Sequence, residues 1–129
     1  MAVIKAFNGI RYSNKEITGE ICPPYDVISP EEKKQLKNKS KYNMVQLELS
    51  DAQGSRNKYA QASFLFKQWI KQGVLVKDDK PSLYFYEQTF NDHGRKMTRR
   101  GFFTALKLEN PHGGSVKPHE KTLAKPKAD

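Results

Sequence analysis

The sequence predicts an α+β fold, a mixed and mainly antiparallel sheet with one principal packed helix and a short second helix. Two observations carry this expectation. Between Arg56 and Gln72, the side chains of Tyr59, Ala62, Phe66, Trp69 and Ile70 recur at three- and four-residue steps, laying an apolar stripe along one face of a helix. Between Ser82 and Leu108, two runs rich in aromatic residues flank Asn91-Asp92-His93-Gly94, the composition of a hairpin with a tight turn.

At the N-terminus, Val3, Ile4 and Phe7 predict a short strand closed by the turn dipeptide Asn8-Gly9. Arg11 to Ile21 then reads as a loop. Pro23-Pro24-Tyr25-Asp26-Val27 predicts a rigid non-helical corner, because a proline removes a donor and pushes the residue before it to extended geometry. Ser29-Pro30-Glu31-Glu32 has the form of a helix start: Ser29 as N-cap, Pro30 in the first helical position, and carboxylates facing the positive end of the dipole. This helix should end near Asn38 to Ser40. Met44, Val45, Leu47 and Leu49 then predict a second strand. After the Arg56–Gln72 helix, Gly73 sits where a left-handed cap belongs, and Val74-Leu75-Val76 precedes the breaker Asp78-Asp79-Lys80-Pro81. Ser82 to Phe90 and Thr98 to Leu108 are the hairpin strands, expected at the centre of the sheet. Residues 1–108 make the α+β core domain in this reading. Residues 109–129 make a basic segment rich in proline, glycine and lysine, with Val116 and Leu123 as its only sizeable apolar side chains.

A chain of 129 residues suits one domain. It carries no apolar run long enough for a membrane span or a secretory leader, so a cytoplasmic protein is expected. The single cysteine, Cys22, excludes an internal disulfide and a multi-cysteine zinc site, and reads as a buried or inert thiol. A net charge of +9 favours an anionic partner. The cations cluster at Lys33–Lys41, at Arg95–Arg100 and along the tail; the first cluster reads as a solvated surface. No RNP-like strand or zinc finger accompanies them, so a small phosphate or nucleotide is the expected partner ahead of nucleic acid.

The chemistry concentrates in His119-Glu120-Lys121-Thr122. A carboxylate beside an imidazole and a hydroxyl can move protons, and the neighbouring glycines and lysines can hold an anion. The second histidine of a zincin helix is missing, and His112 with His119 makes a weak ligand pair, so no metal site is assigned. Gly113-Gly114-Ser115 could turn backbone amides toward a phosphate, although it lacks Walker spacing and reads first as a flexible turn. The double-proline corner would fix Tyr25 and Asp26 in space, with Asp26 bonding nearby amides as the plainer alternative. Arg11 and Arg100 could each clamp a phosphate or form weak surface pairs. His93 belongs to a turn and faces solvent.

Several segments together resemble a known family. Ala2-Val3-Ile4-Lys5-Ala6-Phe7 with Gly9-Ile10-Arg11, Pro23-Pro24-Tyr25-Asp26-Val27-Ile28-Ser29, Trp69-Ile70-Lys71-Gln72-Gly73-Val74-Leu75, Asp79-Lys80-Pro81-Ser82-Leu83-Tyr84-Phe85-Tyr86, and His119-Glu120-Lys121-Thr122 with Lys127-Ala128-Asp129 are similar to a prokaryotic family known as domain of unknown function number ten-fifteen. Ala6 and Tyr12 depart from it, standing where the family often has proline. Members are usually longer, and an arginine commonly follows the residue matching Asp129, so the chain is expected to be an N-terminal portion. The family resembles, distantly, the fold of ParB-type nucleotide-binding domains, sulfiredoxin and free-serine kinases, and its genes often neighbour those of serine biosynthesis. Fold-level analogy does not by itself establish activity.

Motif and resemblance together imply nucleotide or phosphate binding, with phosphoryl transfer involving a small hydroxyl substrate such as serine or phosphoserine. Glu120 would take the hydroxyl proton, and His119 and Thr122 would orient phosphate. Lys125, Lys127 or Arg11 would neutralise it, with Tyr25, Asp26 and Arg100 as further binding residues. ATP or ADP with magnesium is the implied cofactor. The alternative is a non-catalytic basic module that contacts nucleic acid or a protein partner.

Overall fold

The computed structural model describes residues 1–110 and 113–117. The fold is α+β, with antiparallel strand pairs and three α-helices among these residues. The chain divides into two compact units, Gly9–Asp78 and Met1–Asn8 with the described residues from Asp79 onward.

In the Gly9–Asp78 unit, β2 (Ile10–Tyr12) pairs antiparallel with β3 (Leu75–Lys77), placing Arg11 opposite Val76 and Tyr12 opposite Leu75. The expected loop from Arg11 therefore begins one residue past Tyr12. The cross-strand partner lies far along the chain, so no local pattern announced it. Helix α1 spans Pro30–Lys39, with Ser29 Oγ accepting from the Glu32 amide at 3.1 Å, Pro30 in the first helical position and Lys37 and Lys39 in the last turn. Caps and charges thus follow the sequence signals.

Met44 to Leu49 is not a strand: Val45–Glu48 forms the single-turn helix α2. The cause is Asn43, whose fully buried Oδ1 accepts from the Val45 amide at 3.0 Å while its Nδ2 donates to the Gly19 and Ile21 carbonyls at 2.7 and 3.0 Å. Three bonds from one buried amide wind the chain at this point, outweighing the strand-like spacing of a short apolar run.

Helix α3 spans Lys58–Lys71 and is capped by Asn57, which accepts from the Ala60 amide at 2.9 Å. It ends in a Schellman motif: Gly73, at φ 72°, donates to the Ile70 carbonyl at 3.0 Å, and Val74 donates to Trp69 at 2.9 Å. The core lies here. Val45, Trp69 and Leu75 are buried, Trp69 with only 3% of its surface exposed, and the rings of Tyr12 and Tyr42 pack on the indole at 6.4 and 5.7 Å between centroids.

The other unit pairs β1 (Ile4–Lys5) with β6 (Ala105–Leu106), and β4 (Tyr84–Asp92) with β5 (Arg95–Phe103), both antiparallel. Asp92 and Arg95 close the hairpin around His93 and Gly94, whose φ values of 46° and 80° give the two left-handed residues of a type I′ turn. The returning strand consequently starts at Arg95, earlier than Thr98. It stops at Phe103, where the Thr104 hydroxyl donates to the Lys5 carbonyl at 2.9 Å and the chain continues as β6 against β1. The hairpin is not the centre of a wider sheet: all three described sheets have two strands. Every buried residue among those described lies in the Gly9–Asp78 unit, whereas the β4–β5 ribbon leaves Phe85 81% exposed. Among the described residues, no helix is long and apolar enough to cross a membrane.

Candidate functional site

Of the residues expected to bind or react, His119, Glu120, Thr122, Lys125 and Lys127 lie outside the described residues, as does His112. The loop that leads to them is described. The Gly113 and Gly114 amides both donate to the Asn110 carbonyl, at 3.2 and 2.9 Å, so the chain turns tightly there. That turn brings the Ser115 and Val116 amides onto one carboxylate oxygen, Glu109 Oε2, at 2.6 and 3.4 Å. A Cβ on Gly114 would stand 2.6 Å from the same oxygen, so only glycine admits the carboxylate. Successive amides converging on one anionic oxygen form an anion-binding concavity. The turn expected of Gly113-Gly114-Ser115 is present, and the amides that follow it bond the chain's own Glu109 carboxylate. Glu109 is not marked as a site residue by any motif; its one signal in the sequence is a carboxylate shortly ahead of paired glycines.

Pro23 and Pro24 do make a corner, but the chain enters a 3-10 turn, Tyr25–Val27, directly afterwards, closed by the Val27 amide donating to the Pro24 carbonyl at 3.2 Å. The expectation of a wholly non-helical stretch fails because a proline restricts the residue before it, while those after it remain free to turn. Tyr25 and Asp26 both point to solvent on this turn. Arg11, in the middle of β2, donates through Nε to Asp78 Oδ1 at 2.9 Å and stays 56% exposed. Arg100 stands opposite Glu87 in the β4–β5 register and donates to Glu87 Oε2 at 2.7 Å. Both arginines are therefore orientated by carboxylates in exposed pairs of small energetic weight. Arg11, Tyr25 and Asp26 belong to the Gly9–Asp78 unit, and Arg100 to the other.

The first lysine cluster is more than a solvated surface. Lys33 and Lys37, one turn apart on α1, both bond the Asp51 carboxylate, and those two hydrogen bonds hold its pKa below the usual value. Cys22 is partly buried, and burial, reinforced by Glu48, pushes its thiol up, which makes it a poor nucleophile at neutral pH. His93 is almost fully exposed in its turn. Among the described residues no three His, Cys, Asp or Glu side chains gather as metal ligands would.

Residues 4–129 match the family model described as a protein of unknown function, DUF1015. The chain belongs to this family. Comparison with curated proteins and with solved structures gave no match. Membership in DUF1015 agrees with the double-proline and His-Glu-Lys-Thr segments that suggested it, and leaves the chemistry to be argued from the residues themselves.

Proposed function

We propose that this DUF1015 chain binds phosphate, free or within a nucleotide, and takes part in phosphoryl transfer involving a small hydroxyl substrate of the serine or phosphoserine type. The observation that carries the reading is the convergence of the Ser115 and Val116 amides on Glu109, directly ahead of His119-Glu120-Lys121-Thr122. The Glu109 oxygen marks where a phosphoryl oxygen would sit, held by amides aimed at its charge. Glu120 would accept the proton of the substrate hydroxyl as its oxygen bonds the terminal phosphorus of the nucleotide and the bond from that phosphorus to its bridging oxygen breaks, the shortened nucleotide leaving. His119 and Thr122 would orient the phosphoryl oxygens, and Lys125 and Lys127 would neutralise them. A nucleotide such as ATP or ADP would bring magnesium on its own phosphates, a mode that needs few protein ligands.

The protein incubated with magnesium and ATP or ADP, and with serine or phosphoserine, should show transfer by phosphorus NMR. Glu120→Gln should abolish it with no change in thermal melting; full activity in that variant removes Glu120 from the mechanism.

A second reading is favoured by a different observation: β5 presents Arg95, Lys96, Arg99 and Arg100, all exposed, along one strand of the ribbon. On this reading the chain is a basic module for nucleic acid. Its binding to an unstructured oligonucleotide should then weaken steeply between low and physiological salt, whereas a phosphate pocket keeps selectivity for one small anion.

A further inference from the structure

We propose that one face of the β4–β5 ribbon binds single-stranded nucleic acid by stacking its unpaired bases, an inference that rests on the second reading above and names both the face and the form of the partner. Residues directly opposite one another in an antiparallel pair share a face, so the register sorts the side chains of the ribbon into two sets. Phe103, Tyr86, Arg99 and Phe90 fall on one face, and Phe85, Phe102 and the Glu87–Arg100 pair on the other.

The first face carries open rings. Phe103 is 58% exposed and Tyr86 39%, with their centroids 5.3 Å apart. Tyr84, at the base of the same face, packs instead on Phe7 at 5.1 Å and anchors that end. Opposite Tyr86 stands Gly101, where a Cβ would fall on the tyrosine ring, so glycine lets this ring come down onto the neighbouring strand. Side chains that follow one another on a face are about 7 Å apart along a strand, which sets the rings out as separate steps.

The face also carries a cation suited to phosphate. The Arg99 guanidinium lies over the Phe90 ring, 5.6 Å from its centroid, and stands opposite Gln88. Arg100, on the other face, is held by Glu87 at 2.7 Å. Arg99 thus keeps its charge for an anion, and its plane adds a further surface on which a base can stack.

These features select one occupant. A wholly apolar partner would cover Arg99 and leave its charge without an anion, at a large cost in desolvation. A duplex keeps its bases stacked on one another and offers the rings no base face. A single strand supplies both halves: base faces for Phe103 and Tyr86, and phosphates for Arg99, with Arg95 and Lys96 exposed farther along β5.

The test is fluorescence anisotropy of labelled oligothymidylate and oligouridylate, which separate DNA from RNA, beside a duplex of the same length at one fixed salt concentration. At least one single strand should bind tenfold or more tighter than the duplex. Phe103→Leu should weaken that binding about fivefold or more. Arg99→Gln, at an exposed position where folding is not at stake, should lower the salt slope by about one. Phe85→Leu, on the opposite face and 81% exposed in the parent, should leave affinity unchanged. Salt-sensitive binding that is equal for duplex and single strands would keep the basic module and overturn the stacking face. Equal losses from Phe85→Leu and Phe103→Leu, or full affinity in both Phe103→Leu and Arg99→Gln, would overturn it as well. Binding to none of the oligonucleotides would remove the stacking face together with the nucleic-acid reading beneath it.

Discussion

Tyr12 shows how one side chain ties strand to helix. Its ring packs against Trp69, and its hydroxyl donates to the Tyr42 carbonyl at 2.7 Å. Burial first, then the charges of Glu20 and Cys22, push its pKa from 10.0 up to about 12. A pKa raised on folding gives stability that is complete below the unfolded value and is lost as pH rises through the folded one. Urea unfolding should therefore show an alkaline loss between about pH 10 and 12. Tyr12→Phe should cost about 1 kcal/mol at neutral pH through the lost hydrogen bond, and should flatten that limb. An alkaline limb as steep in the phenylalanine variant as in the parent would assign the titration to another group. Asp51 has the opposite sign. Its carboxyl is lowered by the Lys33 and Lys37 bonds, so its contribution is present above the ordinary carboxyl value and fades as pH falls through the folded one. Asp51→Asn should make melting less sensitive to acid below about pH 4, measured by thermal scans along a pH series.

At the scale of elements, local chemistry decided what could be read in advance. The α1 start at Ser29-Pro30 and the α3 end at Gly73 were legible because caps and left-handed residues act within one turn. Gly73→Ala should cost about 1 kcal/mol by forcing a side chain to positive φ, read from denaturant midpoints at constant slope. A shift of negligible size would mean that the Schellman turn relaxes freely. What escaped the sequence depends on distant partners. The α2 turn is wound by Asn43, which reaches back to Gly19 and Ile21, and β2 exists because Leu75–Lys77 returns beside it. The Pro-Pro corner was placed correctly, but its 3-10 turn was not, since the prolines constrain only what precedes them. The same contrast marks the sites. His119 to Thr122 stands out by residue type alone, whereas Glu109 acquires meaning only from the amides it meets in the fold.

For the whole molecule, the asymmetry between the two units matters most. All five buried residues among those described, including Trp69 and Leu75, lie within Gly9–Asp78, while β4 and β5 form an exposed ribbon. A two-stranded ribbon is marginally stable in water, so native-state amide exchange should be slowest in α3 and β3 and much faster along β4–β5. Equal protection in both would contradict the placement of the core. The charge of +9 acts at this scale too, since it draws small anions to the protein as a whole. The loop at Glu109 is the centre of the functional account. The most direct measurement is a phosphate titration of the protein and of its Glu109→Gln variant, followed by nitrogen–proton NMR at the Ser115 and Val116 amides. Saturable shifts at these two amides, strengthened when the competing carboxylate is removed, are the predicted result; amides that ignore phosphate in both proteins would contradict the account.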